Sequence, residues 1–476
     1  MPTAGHGLRP ELKLRDLVFI QVLLVVGLNW TGFAAKQGST QVSLWLLAIV
    51  LFYVPLAAVV MKLSRAMPVE GGAYQWVKEG ISPFAGYMAG WCLTVFIVSF
   101  YASAGSVFAN GIAYAVGPAG SWMTASKPFA LALTALACLI TYVINVRGLH
   151  LAKWLSGAGS ILTIATFLAM LYLLARAWAT AMPSVRGSLS LAWPGFSILT
   201  LNVFTKMALG ALAGFDGSAI FSEECRKPEN DVARSVLIAA PSIALMYILG
   251  TGALLAYVPP AKVDLAAPVS QMLQAGFGAT GLGKTLTAVA VGTFNIGYIA
   301  AMVICIGMVA RLPMVAGWDG LLPGWWSTLH PRLRTPYKAI GAVTATLMFL
   351  GCLSLWGAGN QEAVQVALAA GTGLVCIMYM LLFATPLFGF RSRLQRPAGL
   401  GIRLGALAAL LVSFVSLIFE IVPLGDVASP AVFALKVAGT ILAASALGAY
   451  LYWRGSRPVR NLVASSAAGG KPRSNE

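Results

Sequence analysis

Long apolar runs alternate with short polar or basic segments along this chain. Twelve runs can be drawn, at approximately 17–37, 42–66, 83–117, 128–146, 152–178, 199–222, 233–257, 284–311, 337–357, 362–390, 402–422 and 430–453. About 20 apolar residues make one helical crossing of a bilayer, so each run predicts a membrane-spanning helix. The third is longer than one crossing needs, which predicts tilt or an extension beyond the lipid. Pro55, Pro241 and Pro386 lie inside runs and predict kinks. Two runs also carry glycine-rich breaks. One reads Val26-Gly27-Leu28-Asn29-Trp30-Thr31-Gly32, and the other runs from Gly210 to Gly214-Phe215-Asp216-Gly217. Unwound backbone at membrane depth survives only where protein or a water-filled cavity satisfies its polar groups. Paired interruptions in corresponding places of two halves point to the binding site of a secondary transporter.

Both breaks fall in the first run of a five-run unit, runs 1–5 and 6–10. An odd number of crossings gives the two units opposite orientation, the inverted repeat that alternating access uses. The predicted organisation is a cytoplasmic N-terminus at 1–16, a first repeat at 17–178 and an inverted second repeat at 199–390. Two peripheral helices at 402–453 and a disordered, basic, Ser/Gly/Ala-rich tail at 454–476 complete it. The fold class expected is an all-α integral membrane protein of about twelve spans.

Composition supports this. The chain is 59% hydrophobic and 10% charged, whereas a soluble domain carries about 25% charged residues. The net charge of +17 raises the question of nucleic acid, but the basic residues cluster at span ends. With the N-terminus inside, every Lys and Arg falls in a cytoplasmic segment except Lys36, Lys127, Arg176, Arg186, Lys206, Lys262, Lys284 and Lys436. That bias places both termini in the cytoplasm of a cell-membrane protein and removes the need for a nucleic-acid partner. Arg9, Lys13 and Arg15 precede the first run, which reads as a span rather than a cleaved signal. Six cysteines in no framework spacing and three scattered histidines suggest neither a disulfide scaffold nor a metal site. No cofactor and no catalytic group is expected.

At the first break, Gly27, Asn29, Trp30, Thr31 and Gly32 are candidate substrate-binding residues, because freed N–H groups there suit a carboxylate. Close helix packing through small residues is the plainer reading of the same glycines. At the second, Gly214, Phe215, Asp216 and Gly217 are candidates. An ionisable residue at mid-membrane marks a pathway, a proton relay or a paired site, so Asp216 is the candidate for proton coupling or for holding an ammonium group. Phe215 reads either as an aromatic lid or as packing. Tyr101, Asn295 and Tyr298 are further candidates for lining, with helix–helix hydrogen bonds as the alternative.

Three motifs carry a family resemblance. They are Glu70-Gly71-Gly72-Ala73-Tyr74-Gln75-Trp76-Val77, Gly214-Phe215-Asp216 followed by Glu223-Glu224-Cys225-Arg226-Lys227-Pro228, and Ala316-Gly317-Trp318-Asp319-Gly320-Leu321-Leu322-Pro323 with His330-Pro331 and Thr335-Pro336. Together with the twelve-span layout, these resemble the amino-acid–polyamine–organocation (APC) transporter superfamily. The resemblance implies a leucine-transporter-like fold whose first and sixth spans are broken, with the substrate's amino and carboxyl groups held between them. Relatives commonly read Gly-Ser/Thr-Gly-Ile-Phe in the first break, where this chain has Gly27-Leu28-Asn29-Trp30-Thr31-Gly32, so Trp30 occupies space that substrate takes elsewhere. Relatives often carry Glu, implicated in proton coupling, at the position of Asp216. Some proton-coupled relatives place a lysine deep in the fifth span, at the sodium position of sodium-coupled ones. Here Lys153 stands near the cytoplasmic start, followed by Ser156, Ser160 and Thr163. Coupling by proton, sodium or exchange stays open.

The function expected is secondary active transport of amino acids or related amines. The alternatives are a ligand-binding membrane sensor on the same scaffold and a membrane-embedded enzyme, which G-x-S-x-G or H-E-x-x-H motifs would support and which this chain lacks. Lys36 and Lys206 near the outer ends of the broken spans either snorkel to the interface or build a positive vestibule for anionic substrates. Gly278-Ala279-Thr280-Gly281-Leu282-Gly283-Lys284-Thr285 matches the Walker A pattern, but no strand precedes it and no nucleotide domain surrounds it, so it is read as accidental.

Overall fold

Serine and proline set several of the helix starts. Ser82, Ser126 and Ser197 each accept a hydrogen bond from the backbone N–H three residues on, satisfying a donor that the first helical turn leaves free. Pro83 and Pro128 follow two of these caps, at positions where a missing N–H costs nothing. The computed structural model describes residues 12–67, 71–225, 228–315, 324–354, 360–388, 398–424, 427 and 429–468. Among them no strand occurs, and helices follow one another throughout.

The first span is split into α1 (Leu14–Val25) and α2 (Trp30–Ala35). The second runs through α3 (Gln41–Ala48), a π-helical turn (Ile49–Tyr53) and α4 (Val54–Ala66). Pro55 stands just after that turn, whose wider spacing accommodates a residue with no N–H to donate. A short α5 (Ala73–Gly80) leads to the long third span, α6 (Pro83–Ala102) and α7 (Ala104–Val116), jointed at Ser103. Then come α8 (Ser121–Ala125), α9 (Lys127–Arg147), α10 (Leu149–Ala179) and α11 (Pro183–Ser188).

The sixth span is again discontinuous: α12 (Ile198–Thr205), a π-helical stretch (Lys206–Ala211), a break, and a 3₁₀ segment (Phe215–Glu224). It is followed by α13 (Pro228–Tyr257), α14 (Pro268–Phe277), α15 (Gly281–Val315), α16 (Tyr337–Ser354) and α17 (Asn360–Phe388). Last are α18 (Leu400–Phe419) and α19 (Pro430–Ala468). The helical backbone of α19 continues past Arg454, where the sequence predicts an unstructured tail. Residues 469–476 lie outside the described residues.

Ten described helices are long and apolar enough to cross a membrane. The remaining two of the twelve expected spans are the broken α1–α2 pair and the shorter apolar helix Tyr337–Leu353. The protein is an integral membrane protein.

Small residues bring the helices together. Gly159 on α10 lies against Ala300 on α15, and Gly105 on α7 lies against the Ala130 carbonyl and Thr134 on α9. Without a hydrophobic driving force between helices in lipid, such close approach and the packing it permits supply the attraction. α1 packs between α10, α13 and α15, at the centre of the bundle. α18, expected at the periphery, packs on α4, α12 and α17. Its Ala406, Ala409, Ser413, Ser416 and Glu420 are buried, while Leu404, Leu407, Leu411, Phe414 and Ile418 point outward. Both rows have the three-to-four spacing of one helix face.

Candidate functional site

The first break begins where α1 stops at Val25. Val26 still donates to Val22, but Gly27 turns away and donates to Val25 O and to the Tyr247 hydroxyl, each at 3.0 Å. Helical bonding resumes only with Trp30 N to Gly27 O. Between them, the N–H groups of Leu28 and Asn29 have no hydrogen-bond partner among the described residues. The Asn29 side-chain oxygen is also buried without one. Thr31 Oγ1 donates to Leu28 O at 2.7 Å, closing the turn.

The second break requires glycine at one position. Gly214 has φ +125°, and a Cβ there would meet the Leu24 carbonyl oxygen at 3.2 Å. That contact also measures how close the two breaks lie. A Cβ on Gly217 would meet Leu24 Cδ1 at 3.0 Å.

A tyrosine braces each break. The Tyr247 hydroxyl on α13 accepts from Gly27 N and lies 2.6 Å from Val25 O and 2.9 Å from Ala211 O, acceptors for its single proton on opposite breaks. The Tyr379 hydroxyl on α17 accepts from Gly214 N at 2.8 Å and donates to Asp216 Oδ1 at 2.6 Å. Gln21 on α1 adds a third tie, donating to Ser218 Oγ at 2.7 Å and to Phe215 O at 3.3 Å. Side chains from other helices thus satisfy part of the unwound backbone at this depth, and the Leu28 and Asn29 N–H groups are left open to the chamber.

The breaks enclose a chamber of about 120 Å³. One water needs only about 10–15 Å³, so the chamber admits solvent or a small solute. Gly27, Asn29, Trp30, Gly214, Asp216 and Gly217 line it, as do Tyr101 and Tyr298. Asp216 is 1% exposed, and its Oδ2 has no partner among the described residues. Among the described residues it is the chamber's only charged side chain; the other walls are mostly aliphatic and aromatic, among them Phe100 and Phe294.

Four sequence candidates stand outside this lining. Thr31 is buried in the turn, and Gly32 packs against the Pro268 ring, so the small-residue packing reading holds for Gly32. Phe215 is fully buried and stacks on Tyr53 with centroids 4.7 Å apart; it packs and does not cover the chamber. Asn295 lies beside Gly111 and Ser270, at the contact of α7, α14 and α15.

Lys206 corrects one expectation. It neither snorkels nor faces a vestibule: it is 6% exposed and forms an ion pair with Glu420, which is 0% exposed. An ammonium group within the bilayer needs a counter-charge, and Glu420 at the end of α18 supplies it. One helical turn earlier, Asn202 donates to Val422 O at 2.9 Å, so the sixth span is tied twice to the chain at the end of α18. Lys36 does border a polar cavity, with Lys262 and Asp264, beyond Phe33 and Leu265, which line both that cavity and the chamber. Lys153 pairs with Asp16 at 2.9 Å and links the starts of α1 and α10.

Tyr247, Tyr379, Gln21 and Glu420 were not singled out from the sequence. Glu420 carried a signal, as the acidic end of the small-residue row on α18. The tyrosines looked like ordinary apolar-span residues. The Walker-like segment joins α14 to α15, helix to helix, as expected of an accidental match. Glu70, Arg226, Lys227 and Ala316–Pro323 of the family motifs lie outside the described residues. No group of three metal-ligating side chains occurs among the described residues.

The architecture is shared with known transporters. The crystal structure of MhsT in complex with L-phenylalanine superposes with a TM-score of 0.60 at 14% identity, covering 87% of this chain and 99% of that one. The chain has the leucine-transporter-like fold, a 5+5 inverted repeat with broken first and sixth spans. A family model described as amino acid permease matches residues 12–443, and the chain belongs to that family. An uncharacterised transporter of Legionella pneumophila is 25% identical over 412 residues, 86% of this chain and 87% of its own length. The aspartate/glutamate permease AcaP of Lactococcus lactis is 22% identical over 72% of this chain and 73% of its own. The branched-chain amino acid permease BcaP of Bacillus subtilis is 23% identical over 72% and 76%. The protein is thus a secondary transporter of amino acids.

Proposed function

We propose that the chamber between the breaks is the transport site and that it takes α-amino acids by their shared backbone groups. The free N–H groups of Leu28 and Asn29 receive the carboxylate. Asp216 Oδ2, with the carbonyls at the end of α1, receives the ammonium group. The observation that carries this reading is the buried, unpartnered Asp216 oxygen facing a cavity that also holds two unused backbone donors. Tyr379 holds the other carboxylate oxygen, so the free one keeps a fixed direction.

Asp216 also couples transport to a driving gradient. A lone carboxylate in a chamber with no cationic side chain among the described residues carries its charge at high cost when the substrate is absent. A proton or the substrate's own ammonium relieves that cost, so the empty carrier returns protonated. The protein works in the cell membrane with both termini cytoplasmic, as the distribution of Lys and Arg supports. Residues 17–178 and 199–390 act as the two repeats, with one bundle rocking against the other.

Purified protein in liposomes, given a panel of labelled amino acids under imposed proton or sodium gradients, tests this. Concentrative uptake of at least one amino acid driven by an outward proton gradient (acid inside) is expected, because the carrier that brings substrate in returns with a proton on Asp216. Uptake driven by sodium alone would reject the coupling role of Asp216, and no uptake of any amino acid would reject the site.

A further inference from the structure

The relatives named above carry different substrates in their names, so the family does not set the size of this chain's substrate. The geometry around Trp30 does. We infer that Trp30 is a partition that limits the substrate to small neutral amino acids of the glycine, alanine and serine class. This rests on the reading of the chamber as the amino acid site.

Trp30 opens α2, directly after the unbonded turn, and is 6% exposed. Its indole lies between the two breaks. A Cβ on Gly27 would stand 2.8 Å from its Cδ1, and a Cβ on Gly210 would stand 2.5 Å from its Cη2 and Cζ3. Real side chains do not approach so closely, so both glycines are needed for the ring to lie where it does. Gly27 belongs to the first break and Gly210 to the π-helical stretch of the sixth span. The ring therefore fills the gap that two side-chain-free backbones leave.

Phe33 and Phe100 hold it there, with centroids 5.1 and 6.3 Å away and the Phe100 ring stacked. Aromatic contacts and the two glycine backbones pin the indole between the chamber on one side and the small cavity on the other. It is a wall and not a mobile lid.

Behind that wall lies a void of only about 10 Å³. Trp30 also lines a second, smaller cavity, together with Lys206, Gln365 and Thr372. Shortening the indole joins this cavity to the chamber. In the wild type a substrate side chain meets the ring; without the ring it runs on toward Gln365. The space that a longer side chain would take is thus the space of the indole itself, since the cavity behind it holds no more than about one water.

The experiment is competition against labelled alanine uptake in liposomes by unlabelled glycine, serine, leucine and phenylalanine. Wild-type uptake should be blocked by glycine and serine and spared by leucine and phenylalanine. In Trp30→Ala, leucine should inhibit at a concentration at least about tenfold lower than in wild type, the scale on which apolar pockets discriminate side-chain size. Trp30→Phe should fall between the two. If Trp30→Ala does not fold, Trp30→Phe and the wild-type profile decide. Wild-type uptake blocked equally by leucine and phenylalanine overturns the inference. So does a Trp30 variant that keeps alanine uptake with an unchanged size profile. Absence of any amino acid uptake sinks the chamber assignment itself, a different result from uptake without a size limit.

Discussion

Tyr379 donates to Asp216 Oδ1 at 2.6 Å while its own oxygen accepts the Gly214 N–H at 2.8 Å. One hydroxyl thus fixes both the acidic group and the backbone turn beside it. Tyr379→Phe keeps the ring, which meets Phe52 edge-on at 5.5 Å, and removes only that bridge. Leaving a buried donor or acceptor unsatisfied costs about 1–3 kcal/mol. The initial uptake rate should fall by roughly tenfold or more, with the protein still monodisperse on size-exclusion chromatography. A variant with more than half the wild-type rate would show that the bridge is not needed.

Asp216→Asn preserves size and can still accept from Tyr379, but it carries no charge. Accumulation of substrate against its gradient should be lost. Asp216→Glu, with the charge retained on a longer arm, should keep partial activity. Undiminished concentrative uptake by Asp216→Asn would remove Asp216 from both ammonium binding and coupling.

Lys206 and Glu420 should behave as one unit. Removing one partner of a buried pair costs about 3–5 kcal/mol, whereas replacing both by neutral groups of similar shape is often close to neutral. Lys206→Met and Glu420→Gln should each lower the melting temperature in detergent strongly, and the double variant should recover most of the loss. Additive losses would mean that the two side chains act separately. Because Lys206 is committed to Glu420, neutralising the pair should leave the preference among amino acids unchanged in the competition assay.

Gly214→Ala places a side chain at φ +125° against the Leu24 carbonyl. Strain of this kind costs on the order of 1–3 kcal/mol, and here it would push the breaks apart, so uptake should be nearly abolished. Gly157→Ala on α10, where nothing lies within 4 Å of the added carbon, should leave uptake unchanged. Equal behaviour of the two variants in an uptake assay would deny the turn its role.

The fold was largely legible in the sequence because its logic is one-dimensional. Span length, Lys and Arg bias and the two glycine breaks all follow from the cost of polar groups in lipid, and each is written locally. Asp216 was legible for the same reason. Gln21, Tyr247 and Tyr379 were not, because each acts across a separation of more than 160 residues, apart from Tyr247 to Ala211. Nothing in their own neighbourhoods distinguishes a bracing hydroxyl from one facing lipid headgroups. Lys206 was misplaced because its partner Glu420 stands 214 residues further along the chain, at the end of α18. The length of the third span was read correctly, but its joint at Ser103 was not.

Cysteine protection at the breaks tests the central claim most directly. In a Cys305→Ala background, since Cys305 also lines the chamber, Asn29→Cys and Ala213→Cys present one thiol from each broken span. Both should react with a small hydrophilic methanethiosulfonate reagent, and saturating alanine should slow both reactions, while a cysteine at the outward-facing Leu404 should show no substrate effect. Thiols at 29 and 213 that stay unreactive, or that react at the same rate with and without every amino acid tried, would contradict a shared wet chamber as the place where substrate binds.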